Sequence, residues 1–598
     1  MKLALLDWLV IVAYLAGSML VGVWFRRRSS GSTEEYFASG RDTPWWLAGT
    51  SMVATTFAAD TPLVVCGLVY FSGISGNWLW WSFLPSGMLT VFLFARLWRR
   101  SGLLTDVEFA EMRYAGRPAA FLRGFRALYL GLMMNCLILG WVTKAMSSIL
   151  QISLGVSEAA ALAICIFFLI PFTGIYVALG GLWGVLWTDV VQFVLKMGIV
   201  IAVAYYAVDA VGGLAAMQAH LERIRAATPS NTGPITAFFP DFSQGLTAEA
   251  LWTLPVLTFV VHLAVQWWAF WYPGAEPGGG GYVAQRIFST RSERDGLLSV
   301  LWFNLAHYAL RPWPWILAGL AAVVLYPGLG RAEAEASYVR LAIEHLPPAL
   351  TGLLIAGFLA AFMSTVATHL NWGGAYLVSD LYRRFLRRSE SEKHYVAVSQ
   401  YVVTPLLVVA SGVVAWLLTS VVSGWAFVLE VGAGTGAVYI LRWYWWRINA
   451  WSEISAMATA MVTSLALRFA GIFSGSTTVV FAKSALTTTA VTTLVWLAVT
   501  LLTRPEPERT LVNFYRRVRP HAAGWHPIAR LTPDVPATRD LGANLLLWLL
   551  GTAMVYMTLF GVGKLLLGPA RMGAALLLGA GLCAAVIYKR MGQIREGA

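Results

Sequence analysis

The sequence predicts an all-α protein that crosses a membrane many times. Three observations carry this. The 598 residues are 58% hydrophobic and only 12% charged, against roughly 25% charged in soluble domains. Mean hydropathy is +0.66. Apolar runs of about 20 residues, the length at which a helix crosses a bilayer, recur from end to end.

Taken in order, the expected spans are 5–25, 46–70, 76–97, 123–150, 157–178, 181–208, 250–273, 298–327, 349–379, 395–420, 424–445, 453–472, 480–503, 541–562 and 570–589. That is about fifteen transmembrane helices. The first run has no basic segment ahead of it and is followed by Arg26, Arg27 and Arg28, so it reads as a retained helix.

The second span, SMVATTFAADTPLVVCG, carries Thr55, Thr56, Asp60, Thr61 and Pro62. Proline removes a backbone donor and disturbs the preceding turn. Unwinding there would free carbonyls at Ala54 and Phe57; a kinked but intact helix is the alternative. The sixth span, GGLWGVLWTDVVQFVLKMG, carries Asp189 beside Thr188 and before Gln192. An intramembrane carboxylate is a functional hypothesis by default. Its readings are a cation ligand, a proton carrier, a partner of Lys196 or a structural group.

The loops 209–249 and 328–348 predict short amphipathic helices. YPGAEPGGGGY, Tyr272 to Tyr282, cannot hold a regular helix. It reads as a hinged gate around Glu276 or as a tight loop. It lacks the Gly-Lys-Ser/Thr end of a phosphate-binding loop.

The span 349–379 contains FMSTVATHLNWGG, with Ala361, Ser364, Thr365 and Thr368 at i, i+3, i+4 and i+7. They share one helical face. Ser364 precedes Asp380, at the polar end of the helix, by roughly 24 Å at about 1.5 Å per residue. The hydroxyls therefore lie inside the hydrocarbon zone. A hydroxyl stripe there serves helix packing or, with carbonyls from a broken partner helix, a hard cation.

Segment 504–540, rich in Pro and Arg, reads as a boundary before a C-terminal pair of helices or as a lipid-surface segment. Arginine placement (Arg26–Arg28, the RLWRR ending at Arg100, Arg286, Arg291, Arg294, the RRFLRR from Arg383) puts the N-terminus outside and the C-terminus in the cytoplasm. The net charge of +13 follows that bias and is no sign of nucleic-acid binding. Cys66, Cys136, Cys165 and Cys583 sit in apolar runs without a CxxC pair, as packing residues. Most of the 28 tryptophans read as interface anchors.

Four stretches together resemble the sodium/solute symporter family, which includes the sodium/glucose and sodium/proline transporters. They are EEYFASGRDTPWWLAGTSMVATTFAADTP, YVALGGLWGVLWTDVVQF, YVAQRIFSTRSERDG and AAFMSTVATHLNWGGAYLVSDLYRRF. The resemblance covers roughly residues 1–505. It implies a LeuT-like fold: two inverted five-helix repeats around a midplane site, with additional N- and C-terminal helices. The division is then 1–45 (extra helix and linker), 46–208 and 250–445 (the repeats), 209–249 (external loop), 446–503 (flanking helices), 504–540 (cytoplasmic loop) and 541–598 (C-terminal pair).

By matching position, the resemblance implies sodium ligands at the carbonyls of Ala54, Phe57 and Ala361 and the hydroxyls of Ser364 and Thr365. It implies a second sodium at Asp189, Ser364 and Thr368, although Ala367 stands where members with that site have a hydroxyl. The solute would meet Asp60, Thr61, Trp80, Gln266, Trp267 and His307. Thr61, Trp80 and Leu429 replace polar groups of the sugar carriers, which argues against an ordinary hexose. Arg311 either binds a carboxylate or has a structural role, against Glu430 or free carbonyls near Pro312 and Pro314.

The expected function is sodium-coupled import of a small organic solute by alternating access, in the plasma (inner) membrane, by a monomer or weak oligomer embedded in lipid. Na+ is the expected coupling ion. The rivals are a transporter-like sensor and a membrane-embedded enzyme using Asp189, His262, His307 or His369. No metal-ligand spacing supports the enzyme.

Overall fold

The computed structural model describes residues 4–228, 232–243, 245–248, 250–269, 277–347, 350–418, 432, 434–538 and 540–591. The described chain is helical, with isolated β-bridges only. The longer helices are, in order, α1 Leu5–Ser29, α2 Trp45–Thr55, α3 Thr61–Ser72, α4 Ile74–Ser101, α5 Gly116–Leu154 and α6 Glu158–Ala210. Next come α7 Leu214–Ala227, α8 Val256–Ala264, α9 Gly281–Ser289, α10 Glu293–Leu325, α11 Arg331–His345, α12 Thr351–Leu386 and α13 Glu392–Leu417. The last are α14 Gly436–Tyr444, α15 Ala450–Ala470, α16 Thr477–Leu502, α17 Glu508–Val518, α18 Leu541–Leu567 and α19 Ala570–Met591.

Among the described residues, 10 helices are long and apolar enough to cross a membrane, not fifteen. The difference has physical causes. The 46–70 span is split into two short helices. The spans 157–178 and 181–208 run together as α6, bent at Gly181, whose φ of 53° suits only glycine. A Cβ at Gly181 would also meet the Tyr36 carbonyl at 2.9 Å. Of the 424–445 span, residues 424–431 and 433 lie outside the described residues, and the rest holds only the short α14. α7 and α11 fill the loops expected to hold short helices.

α12 is the axis of the molecule. Its apolar window is 94% buried, against 17% for α1 and for α19. A helix walled in on all sides can carry polar groups that lipid would reject. α6 packs along α12, and α2 packs against both α6 and α10.

The 504–540 segment is folded onto the core, not a free linker. Phe514 stacks on Trp525 at 5.1 Å between centroids, and both are buried. Trp525 Nε1 donates to the Trp443 carbonyl at 2.8 Å. α18 docks on α4 through two side chains. Trp548 Nε1 donates to the Pro85 carbonyl at 2.7 Å, and the Tyr556 hydroxyl to the Trp81 carbonyl at 2.9 Å.

The end of the bundle that is rich in arginine is tied by paired charges. Arg123 meets Asp380 at 2.7 Å, and Arg384 meets Glu111 at 2.7 Å. Partial burial alone would raise the pKa of Glu111; the hydrogen bonds and charges of Arg384 and Arg123 outweigh it and hold the carboxyl below its ordinary value. Deeper in, Glu453 accepts from the Tyr114 hydroxyl and faces Arg126 at 3.1 Å and Arg442 at 3.3 Å. All four are buried. Removing one member of such a cluster leaves uncompensated charge and costs about 3–5 kcal/mol. Glu453→Gln is therefore expected to lower the melting temperature of the detergent-solubilised protein far more than a surface change such as Glu508→Gln. Equal melting temperatures would mean that the cluster does not hold this end together.

Candidate functional site

The site forms where α2 stops. Its last turn closes with Thr56 N–H on the Met52 carbonyl at 3.3 Å and Phe57 N–H on the Ala54 carbonyl at 3.1 Å. α3 starts at Thr61 with Pro62 in its first turn, where the missing N–H is harmless. Residues 56–60 between them are not helical. The Thr61 and Val64 N–H groups meet the Ala58 and Asp60 carbonyls at 3.3 and 2.9 Å, and the carbonyls of Ala54, Thr55 and Phe57 take partners from outside the segment.

Two neighbours supply them. Lys196 of α6 donates from Nζ to the Ala54 carbonyl at 2.8 Å and to the Phe57 carbonyl at 3.3 Å. Its ammonium also lies 5.2 Å from the Phe57 ring centroid. Thr365 of α12 donates from its hydroxyl to the Thr55 carbonyl at 2.9 Å and to the Ala361 carbonyl at 3.2 Å. The broken helix is thus stitched to α6 and α12 at one level.

The same level holds a second network. Both Asp189 oxygens accept hydroxyls, from Ser51 at 2.5 Å and Ser364 at 2.7 Å. The Arg286 guanidinium lies 3.9 Å from Asp189 and donates to Thr368 at 2.7 Å and to Ser51 at 3.2 Å. Thr368 and Thr55 share a hydrogen bond of 2.8 Å. Asp189, Arg286, Ser364, Thr365 and Thr368 are all fully buried.

These contacts show what the implied sodium ligands bond to in this arrangement. The carbonyls of Ala54 and Phe57 do converge on a cation, but the cation is the Lys196 ammonium. Ser364 and Thr365 turn their protons to Asp189 and to backbone, not their lone pairs to one shared point. At the second implied site, Asp189 and Thr368 face the Arg286 guanidinium. In this arrangement Lys196 occupies the Ala54 and Phe57 carbonyls, and Arg286 stands 3.9 Å from Asp189.

A cavity of about 50 Å³ lies on the other side of the break. Thr56, Asp60, Thr61, Trp80, Trp141, His307 and Arg311 are among the residues that line it. One water needs roughly 10–15 Å³, so this conformation has room for a few waters and not for a sugar. The His307 Nδ1 atom accepts from Arg311 at 2.7 Å and lies 3.0 Å from the Thr56 hydroxyl. Arg311 also donates to the Thr56 hydroxyl at 3.2 Å and to the His307 carbonyl at 3.2 Å. Trp80 Nε1 donates to Asn77 at 3.0 Å, and its ring stacks on Tyr308 with centroids 6.0 Å apart.

Gln266 and Trp267 do not line this cavity. α8 ends at Ala264, and a 3₁₀ turn over Gln266–Trp268 changes the phase. Gln266 then donates to the Leu79 carbonyl at 2.8 Å, behind the wall, and Trp267 packs on Trp268 and Trp548. His262 bonds Gln266, and His369 bonds Asn135. Glu276, Leu429 and Glu430 lie outside the described residues. The glycines that are described pack closely: a Cβ at Gly279 would meet Thr90 at 2.6 Å, and the Gly278 carbonyl accepts from Trp98 at 2.7 Å.

Comparison with known proteins fixes the family. The description "Sodium:solute symporter family" matches residues 36–462. The chain belongs to the sodium:solute symporter family. Among its relatives, the sodium/glucose cotransporter of Vibrio parahaemolyticus is 25% identical, over 78% of this chain and 86% of that protein. The sodium/sialic acid symporter SiaT of Proteus mirabilis is 25% identical, over 78% of this chain and 90% of that protein. The solved structure of a Na+-coupled sialic acid symporter, substrate-bound and outward-open, superposes with a TM-score of 0.67 at 19% identity. It covers 85% of this chain and 100% of that one, a likeness of the LeuT-like fold. As a member of this family the chain is a multi-pass membrane transporter and not an enzyme.

The carboxylate at the centre of the network gives a direct test. Asp189→Asn keeps the shape and removes the charge that faces Arg286. It is expected to destabilise the protein by about 3–5 kcal/mol, read as a fall in melting temperature. Ser51→Ala removes the hydroxyl that Asp189 and Arg286 share but leaves both charges in place, and is expected to cost less. Similar losses for the two would show that the charge is not what holds the network.

Proposed function

We propose that the protein imports a small organic solute through the cavity beside the α2–α3 break, driven by the sodium gradient. The observation that carries this reading is the broken helix itself. In a chain of this family, a backbone interruption at bilayer depth borders a buried cavity and is bonded to two flanking helices. Irregular backbone is tolerated at that depth only where protein or a cavity surrounds it, and such breaks mark solute and ion sites in transporters.

On this reading, residues 46–208 and 250–445 are the two inverted repeats, and alternating access opens the cavity to one side and then the other. The solute replaces the few waters that fit now, with a ring or apolar face against Trp80 and Trp141 and polar groups toward Thr56, Asp60 and Thr61. Arg311 and His307, largely bonded to each other and to Thr56, hold the shape of the wall. The N-terminus is outside and the C-terminus inside, in the plasma membrane. Sodium and solute each raise the affinity for the other by the same factor. The names of the relatives, glucose, mannose and sialic acid cotransporters, support a polyhydroxylated or similarly compact solute.

A thermal-shift screen of small metabolites with and without sodium finds the ligand. In proteoliposomes, an inward sodium gradient is expected to concentrate that ligand, and a choline gradient is not. Trp80→Ala is expected to raise the solute half-saturation about tenfold, equivalent to about 1.4 kcal/mol, with little change in melting temperature. Uptake that ignores the sodium gradient would overturn sodium coupling. An unchanged half-saturation would move the solute away from this cavity.

A further inference from the structure

Lys196 is the least expected member of the site. It is buried on α6 and reaches across to the Ala54 and Phe57 carbonyls at the α2–α3 break, with Nζ at 2.8 and 3.3 Å. The aromatic face of Phe57 closes a third side. Asp189, on the same helix, is not its hydrogen-bonded partner: both of its oxygens are taken by Ser51 and Ser364. The ammonium is therefore held mainly by backbone oxygens, as a small monovalent ion would be.

The charges around it point the same way. Lys196, Arg286 and Arg311 are buried in this region against two carboxylates, Asp60 and Asp189. Among the described residues, the centre carries an excess of positive charge. A further cation would meet the ammonium at the same two oxygens, where low dielectric leaves the repulsion nearly unscreened. Sodium and the ammonium exclude each other from this cage.

We propose that Lys196 is a tethered cation that competes with sodium for the Ala54–Phe57 carbonyl cage. With no ion bound, the ammonium satisfies the broken helix, so the empty carrier has a closed, neutral-backbone state from which to reorient. Sodium enters the cage only as the lysine side chain swings out, and this competition lowers the affinity for sodium. The inference rests on the sodium-coupled reading above and adds the group that opposes the ion.

The test uses the full-length protein in detergent, with sodium chloride titrated against choline chloride at constant ionic strength. Sodium binding is read by thermal shift and by equilibrium binding of radiolabelled sodium. Lys196→Ala empties the cage; Lys196→Arg keeps a cation near it. The alanine variant is expected to reach half-saturation at a sodium concentration lower than wild type by about tenfold or more, and the arginine variant is expected not to. Lys196→Ser, which opens the same space and leaves a hydroxyl, serves should the alanine form fail to fold. Half-saturation unchanged or raised in the alanine and serine variants would overturn the competition. Uptake by wild type separates the two readings. Sodium-driven uptake with unchanged variant affinities places the ion elsewhere and removes only this inference. Tighter sodium binding by the variants, with wild-type uptake indifferent to sodium, keeps the tethered cation and removes sodium coupling.

Discussion

A helix broken inside a membrane must find partners for its backbone, and lipid offers none. That constraint organises the centre of this protein. Residues 56–60 leave the α-helical ladder, and the carbonyls around them take protons from Lys196 of α6 and Thr365 of α12. Three elements distant in sequence are therefore tied at one depth. The cavity lies against the same break, so whatever moves α2 relative to α6 and α12 also reshapes the cavity.

The surrounding structure gives these bonds a rigid frame. α12 is walled in along its apolar stretch, which is why Ser364, Thr365, Thr368 and His369 are tolerated on it. Asp189 is compensated by two hydroxyls and one guanidinium, and Arg286 is compensated in turn by Gln285, Ser51 and Thr368. At the end rich in arginine, Glu453, Asp380 and Glu111 do similar work between helices. A polar core of this kind is stable when every member has a partner and vulnerable when one is removed. Such elements favour discrete rearrangements over gradual ones, as alternating access requires.

Much of this was legible in the sequence, and the rest was hidden for identifiable reasons. The stripe Ala361, Ser364, Thr365, Thr368 followed from helical spacing, and Pro62 marked a disturbed turn. Spacing does not say where a hydroxyl sends its proton, so the turn of Ser364 to Asp189 could not be read. Lys196 was visible beside Asp189 on one helix, and pairing along that helix was a natural expectation. A four-carbon side chain reaches another helix as easily, and only tertiary structure shows that it does. Arg286 sits in a segment, QRIFSTRSER, whose charges suggested the membrane surface; it is fully buried instead. Gln266 and Trp267 stand off the cavity because α8 ends at Ala264 and the helical phase is lost. The composition of 504–540 suggested a loop, yet Phe514 and Trp525 bury it against the core.

The central claim is that a cation in the Ala54–Phe57 cage keeps the α2–α3 break closed. Hydrogen–deuterium exchange of the amides from Thr55 to Val64 measures this directly, in wild type and in Lys196→Ala, with sodium or choline as the only salt. The account predicts slow exchange in wild type in both salts, fast exchange in the variant in choline, and recovery of protection in the variant when sodium is added. Equal exchange under all four conditions would contradict it.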